Sequence, residues 1–142
     1  MFHQLLVGAV LSTCNIVIHA LVTTAVVRVA QMVGAKNTWH PWLLLIIVMI
    51  ATVSILMIAH TSEVVVWSSA YAILNVASTD ADVVYFAFVN YTTLGYGDIT
   101  PIEPWRLLGP MTAMNGVLLF GWSTAVIFEV LRRAMMRTNI LS

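Results

Sequence analysis

Residues 91–101 have the sequence YTTLGYGDITP, an unusual run for its position in the chain. It contains two glycines and an aspartate, and it lies between two of the most apolar stretches of the protein. Irregular backbone at membrane depth is tolerated only where it is buried in protein or lines a water-filled cavity. The run therefore predicts a loop that the surrounding membrane helices hold in place.

The composition of the whole chain is that of an integral membrane protein. Of its 142 residues, 61% are hydrophobic and only 8% are charged, whereas soluble domains have about 25% charged residues. The formal net charge of zero argues against a nucleic-acid partner. A single cysteine, Cys14, excludes an intrachain disulfide and a CxxC metal site.

Three segments are long and apolar enough to be membrane spans, each of which needs about 20 apolar residues. They cover roughly residues 5–30, 42–69 and 105–132. The first lacks the basic start of a signal peptide and its apolar run is too long for one, so we expect it to be retained. The chain then divides into an extra N-terminal helix, residues 1–33, and a two-span module, residues 34–142.

The basic residues predict the orientation of the spans, because cytoplasmic flanks are enriched in Lys and Arg. With three crossings, Arg106 lies alone on one side of the membrane. The five basic residues on the other side are Arg28, Lys36, Arg132, Arg133 and Arg137. We therefore expect a multi-pass protein of the cell membrane, with its N-terminus outside and its C-terminus in the cytoplasm.

The residues before the two glycines predict a short helix, residues 80–92, that enters the membrane from outside. Ser78, Thr79 or Asp80 could cap it, and about ten mostly apolar residues follow. It is too short to cross the bilayer, so the chain must return through residues 93–98. The negative C-terminal end of this re-entrant helix would then point toward the membrane centre.

The glycine spacing suits a backbone that binds cations. Gly95 and Gly97 occupy alternate positions, which lets successive carbonyl groups be aimed at one axis. Rings of such carbonyls replace the hydration shell of potassium in selectivity filters. Tyr96 can turn outward and pack behind the loop, and Thr93 offers a hydroxyl as well as a carbonyl at its inner end.

The loop resembles the potassium-channel signature TxGYGD. The matching residues are Thr93, Gly95, Tyr96, Gly97 and Asp98. The resemblance extends over about residues 42–133, to two-span pore modules of the small bacterial ion-channel type, with outer helix, pore helix, filter and inner helix in that order. One chain supplies one filter strand and a closed ring needs four, which implies a homotetramer in the lipid bilayer.

The resemblance also implies where the permeant ion binds. Potassium would be held by the carbonyls of four filter residues, with Gly97 completing the filter, and no other cofactor is expected. The four residues are Thr93, Leu94, Gly95 and Tyr96. Leu94 stands where valine or isoleucine is commoner in this family.

Further residues are expected to support the filter. Tyr85 and Phe86 take the positions where the family often has an aromatic pair bracing the filter, and Asp98 is a third support. Val89 occupies a site that holds a hydrogen-bonding carboxylate in some members, so that brace is absent here.

His60, Glu63 and Trp67 share one face of the outer helix, because they are three and seven residues apart. A carboxylate within a membrane span is a functional hypothesis by default. One hypothesis is a proton-sensitive brace, in which Glu63 or His60 bonds Asn90 or Tyr91 behind the pore helix. The other, favoured by the presence of Trp67, is a structural pair near the outer membrane interface.

Polar residues in the other spans have two possible roles each. Asn115 could face the cavity and Gly116 could be a hinge, as in the inner helices of the family, or both could pack helices together. We expect His19 to be a helix–helix contact and Glu129 to pair with a neighbouring arginine.

Composition and motifs favour a passive potassium channel. A non-conducting or accessory subunit and a less selective cation channel remain alternatives. A membrane enzyme is disfavoured, because the sequence has no HExxH motif and no grouping of a nucleophile with a base and an oxyanion donor.

Overall fold

A computed structural model describes residues 1–33, 40–78 and 80–137 of the protein. Its elements are α1 (Phe2–Val33), α2 (Pro41–Leu74), α3 (Val83–Tyr91), a 3-10 turn (Glu103–Trp105) and α4 (Leu108–Arg137). Within these residues the fold is all-helical, without any β-strand. By length and composition α1, α2 and α4 can each cross a membrane. The predicted all-α architecture with three spans and one shorter helix is confirmed, although Lys36 and Thr79 lie outside the described residues.

The two long helices of the module differ from their predicted bounds. The outer helix does not stop at residue 69 but continues to Leu74, because Tyr71 is fully buried against the short helix. Asn75 then takes a left-handed backbone with φ 50° and ends the helix. The inner helix starts at Leu108 rather than at residue 105, since the 3-10 turn precedes it, and it extends to Arg137.

The short helix α3 is shorter than the predicted 80–92. Asp82 is its N-cap, and the Asp82 carboxylate accepts hydrogen bonds of 3.0 Å from the backbone N–H groups of Val84 and Tyr85. The predicted caps Ser78 and Asp80 were therefore wrong. An N-cap carboxylate satisfies N–H groups that have no partner within the helix, which explains why the helix begins after Asp82.

Two apolar clusters lie at opposite ends of the helix bundle, and a layer of buried polar side chains separates them. The first cluster packs α3 between α2 and α4 around Trp67, Tyr71, Phe86, Tyr91 and Leu108. The second joins α1, α2 and α4 through Val26, Leu56, Val126 and Val130. The polar layer contains Asn15, His19, Glu63, Asn115 and Ser123.

The N-terminal end of α1 lies beside the start of α4. The Gln4 side-chain oxygen accepts a 3.0 Å hydrogen bond from the backbone N–H of Leu107, and the rings of His3 and Trp105 are 5.4 Å apart. These contacts place the start of α1 on the same side of the bundle as the loop that follows α3.

Candidate functional site

The loop after α3 alternates between left-handed and ordinary backbone. Thr93, Gly95 and Gly97 have φ angles of 60°, 58° and 79°. The two glycines adopt this conformation without steric cost. At Thr93 a left-handed backbone costs about 1 to 2 kcal/mol, so the surroundings must hold it. The glycine spacing predicted two of these positions and missed Thr93.

The backbone of the loop is anchored to the C-terminal end of α3. The N–H groups of residues 93–95 donate to the carbonyls of Val89 and Asn90, over 2.9 to 3.4 Å. The peptide bonds of the described chain are all trans, so each carbonyl points away from the N–H of the same peptide group. The carbonyls of residues 92–94 therefore point away from α3, toward the exposed side of the loop.

The side chains of the loop are exposed in a single chain. Leu94 is 54% exposed and Tyr96 is 68% exposed. Most of the Tyr96 ring is uncovered within the described residues of one chain, so the prediction that it packs behind the loop stays a prediction. Any burial of these side chains requires another molecule.

Tyr85 and Phe86, the predicted aromatic pair, have different roles in the structure. The Tyr85 hydroxyl donates a 2.7 Å hydrogen bond to Asp98 Oδ2, joining α3 to the outer end of the loop. This hydrogen bond raises the pKa of the Tyr85 hydroxyl above its usual value, so Tyr85 remains a donor at neutral pH. Phe86 is instead buried and packs its ring 5.1 Å from that of Tyr71, which anchors α3 on α2.

A buried carboxylate lies at the inner end of α3. Glu63 Oε1 is 2.8 Å from His19 Nδ1, and Glu63 Oε2 is 3.0 Å from His60 Nδ1. The hydroxyl of Tyr91, the last residue of α3, donates to the same Oε2. The hydrogen bond that the sequence suggested between Glu63 and Tyr91 is therefore present, and α1 contributes a third partner through His19.

The alternative, a structural pair near the outer interface, stays a hypothesis, although Trp67 does not have the interfacial role that favoured it. Glu63 lies eleven residues before Leu74, the end of α2, which is about 16 Å along the helix axis. Trp67 is fully buried, and its indole N–H donates a 3.0 Å hydrogen bond to Asn115 Oδ1. A fully buried tryptophan cannot be an interfacial anchor.

Asn90, the other suggested partner of Glu63, bonds elsewhere. Its side-chain amide donates to the hydroxyl of Tyr71 at 3.5 Å. The same hydroxyl is 2.7 Å from Thr112 Oγ1, on α4. Asn90 therefore contributes to the packing of α3 between α2 and α4 and does not contact the carboxylate.

Asn115 faces the other helices of its own chain, so the hypothesis that it lines a cavity was wrong. Its Oδ1 accepts from the Asn15 side-chain amide at 3.1 Å as well as from Trp67. Asn15 also donates to the backbone carbonyl of Glu63 at 3.2 Å. Sequence reasoning missed Asn15, although it lies four residues before His19 and hence on the same face of α1.

Gly116 lets α4 approach the end of α3 closely. A Cβ atom at this position would overlap the carbonyl oxygen of Tyr91 and would lie 3.0 Å from its carbonyl carbon. The helix continues through Gly116 without a break. The structure therefore favours the helix-packing hypothesis for this glycine over a hinge.

Two smaller predictions are confirmed. His19 is completely buried and forms a helix–helix contact with Glu63. Glu129 pairs with Arg132, over 2.9 Å, and with Arg133.

Comparison with known proteins identifies the family of the chain. A family model described as an ion channel matches residues 42–133, which is more than half of the chain and leaves α1 outside the match. No curated protein matches the chain, and no solved structure does either. The matched region contains α2, α3, the loop with its outward carbonyls and most of α4. This chain belongs to the ion-channel family.

Proposed function

We propose that four copies of this chain form a potassium-selective channel in the cell membrane. The family supports ion conduction, and the backbone of the loop supports the choice of ion. The observation that carries the proposal is that the N–H groups of residues 93–95 are turned back to α3, so that carbonyls point to the opposite side. Backbone carbonyls arranged as rings are the ligands that potassium filters use.

The exposed apolar side chains around the loop support the homotetramer. Val84 and Phe88 on α3 are 47% and 40% exposed, and Leu94 and Tyr96 in the loop that follows α3 are exposed as well. Contiguous exposed apolar surface usually marks a protein or membrane contact. In a fourfold ring, neighbouring chains would cover this surface, and Tyr96 would pack behind the filter of the assembly rather than of its own chain.

Conduction would be passive and would need no covalent chemistry. A potassium ion would shed its water at the filter and exchange it for carbonyls of residues 93–96, and the next ion would push it onward. The α3 helices would aim their negative C-terminal ends at the ion below the filter. Asp82 and Asp98, together with Asp80 and Glu103, would attract cations to the outer mouth.

The proposed orientation places the N-terminus outside and the C-terminus in the cytoplasm. It rests on the distribution of basic residues between the two sides. Labelling of a cysteine introduced at either chain end of a Cys14→Ala variant, in intact cells with an impermeant reagent, measures it. A label that reaches only the C-terminal cysteine would reverse the orientation.

Flux through liposomes that contain the purified full-length protein tests the channel. Potassium and thallium should pass and sodium should pass much more slowly. Gly97→Ala should abolish this flux, since alanine is strained at φ 79°. Gly121→Ala is the matched control, because a Cβ there has no heavy atom within 4 Å and no unusual backbone angle is involved.

The measured ion flux distinguishes the potassium channel from the two alternative functions. Equal sodium and potassium flux would mean a less selective cation channel. A stable homotetramer that passes no ion under any condition would favour a non-conducting or accessory subunit.

A further inference from the structure

Three side chains form a compact group of potential metal ligands inside the bundle. The group, called the His–Glu cluster below, consists of His19 from α1 and His60 and Glu63 from α2. One ligand atom of each residue lies within 4.8 Å of the others. The side chains of His19 and Glu63 are fully buried, and that of His60 is 14% exposed.

The outer nitrogens of both rings converge on one hydroxyl. His60 Nε2 is 2.8 Å and His19 Nε2 is 3.3 Å from Ser123 Oγ, on α4. The Nδ1 atoms of both rings face the Glu63 carboxylate. Each ring therefore has one nitrogen toward the carboxylate and the other toward the same serine.

The hydrogen bonds of the cluster need one more hydrogen than neutral rings and an ionised carboxylate supply. Five contacts each need a hydrogen: one from each ring to Glu63, one from each ring to Ser123, and one from Tyr91 to Glu63. The contact of 2.9 Å between His60 Nδ1 and the Tyr91 hydroxyl can share the hydrogen that His60 directs at Glu63. Two neutral imidazoles and two hydroxyls supply only one hydrogen each. One contact is left with two lone pairs facing each other, unless a cation or a further proton lies in the cluster.

We propose that the His–Glu cluster binds a divalent transition metal ion of the zinc class. Both Nδ1 atoms and a carboxylate oxygen of Glu63 would be ligands, a donor set that zinc uses in proteins. With the metal bound, both Nε2 atoms carry hydrogen and donate to Ser123 Oγ, which has two lone pairs to accept them. A serine in this position is the kind of outer partner that orients metal-binding histidines.

The spacing of the cluster is near the spacing that metal ligands need. Ligand bonds of 2.0 to 2.1 Å place neighbouring ligands about 3.3 Å apart. The nitrogen–oxygen distances of 2.8 and 3.0 Å run to different oxygens of Glu63 and need to open by a few tenths of an ångström, while the ligand atoms of the cluster lie within 4.8 Å of one another. The Tyr91 hydroxyl is 2.9 Å from His60 Nδ1 and bonds Glu63 Oε2, so it is near enough to both residues to supply a fourth oxygen ligand. Magnesium and calcium prefer oxygen ligands, so the two nitrogens select against them.

Metal binding would join three helices at the inner end of the filter. The ligands come from α1 and α2, and Tyr91 ends α3 directly before the loop. It would thus give α1, which lies outside the family match, a direct connection to the conducting loop. This consequence for conduction rests on the proposed function, whereas metal binding itself does not.

Metal binding to the purified full-length protein tests the proposal without any flux measurement. The protein is treated with a chelator and then titrated with Zn²⁺ or Co²⁺. Bound metal is measured by elemental analysis, and the Co²⁺ absorption spectrum reports ligand number and geometry. About one metal ion per chain and a tetrahedral Co²⁺ spectrum are expected.

Variants assign the ligands. His19→Gln should abolish the tetrahedral spectrum, while His3→Gln, a histidine change on the exposed N-terminal part of the same helix, should leave it unchanged. Ser123→Ala should weaken the affinity by about 10- to 100-fold, as the loss of an outer partner does. Circular dichroism of each variant shows that the helices are retained.

Two outcomes would overturn the metal site, and a third would overturn only the proposed function. If the wild-type protein binds no more metal than His19→Gln, the proposal is overturned and a further proton supplies the missing hydrogen. Metal bound equally by wild type, His19→Gln and His3→Gln would also overturn it. A protein that binds metal in the cluster yet passes no potassium would refute the proposed function and leave the metal site standing.

Discussion

Gly116→Ala tests whether the contact between α3 and α4 holds the loop after α3, the proposed filter, in place. The added Cβ would overlap the Tyr91 carbonyl oxygen and would lie 3.0 Å from the carbonyl carbon. Carbon atoms pack at about 3.5 to 4.0 Å, so α4 and the end of α3 must separate by about 1 Å. Both sides of this contact are backbone, so no side chain can rotate away to relieve it.

The expected cost follows from that displacement. Overpacking of a close helix contact costs typically about 1 to 3 kcal/mol. Tyr91 is directly followed by the loop, and its hydroxyl bonds Glu63, so the shift should reach both the filter and the polar layer. We expect a lower midpoint of thermal unfolding in detergent and a loss of potassium flux in liposomes, or a loss of selectivity over sodium.

Gly121→Ala is the matched control for this experiment. It makes the same chemical change on the same helix, five residues later, where a Cβ has no heavy atom within 4 Å. Alanine is also a better helix former than glycine by about 1 kcal/mol, so this variant should be as stable as the wild type or more stable. If Gly116→Ala unfolds and conducts like Gly121→Ala, the contact does not hold the loop and the reasoning is refuted.

Two further predictions concern single hydrogen bonds. Tyr85→Phe removes the hydroxyl that donates to Asp98, so the ratio of potassium to sodium flux should fall. Thermal stability should stay nearly unchanged, because both side chains are exposed. An unaltered flux ratio would exclude the Tyr85–Asp98 hydrogen bond as a filter support. Asn115→Leu deprives the buried Trp67 N–H and the Asn15 amide of their acceptor, at about 1 to 3 kcal/mol. Asn15→Leu should cost less, since Asn115 Oδ1 then still accepts from the Trp67 N–H and no buried donor of the described chain loses its acceptor. Thermal unfolding of both variants and of the double variant measures this, and equal costs that simply add would contradict a shared bond.

The membrane spans and the position of the loop could be predicted from the sequence. Apolar length and glycine spacing are local properties, so they can be read from adjacent residues. The same holds for the pairing of Glu129 with Arg132, which are one helical turn apart. The ends of the helices were less predictable, because Tyr71 extends α2 by packing on another helix.

Only the tertiary structure revealed the polar layer and the partners of its members. Asn15 and Asn115 are separated by 100 residues, and no periodicity of the chain connects them. Whether Asn115 faces a cavity or α1 depends on how each helix is rotated about its own axis, and that rotation is set by the packing of all the helices together. The contact of Gly116 with Tyr91 has the same origin, because the distance between two backbones is a property of the assembled bundle.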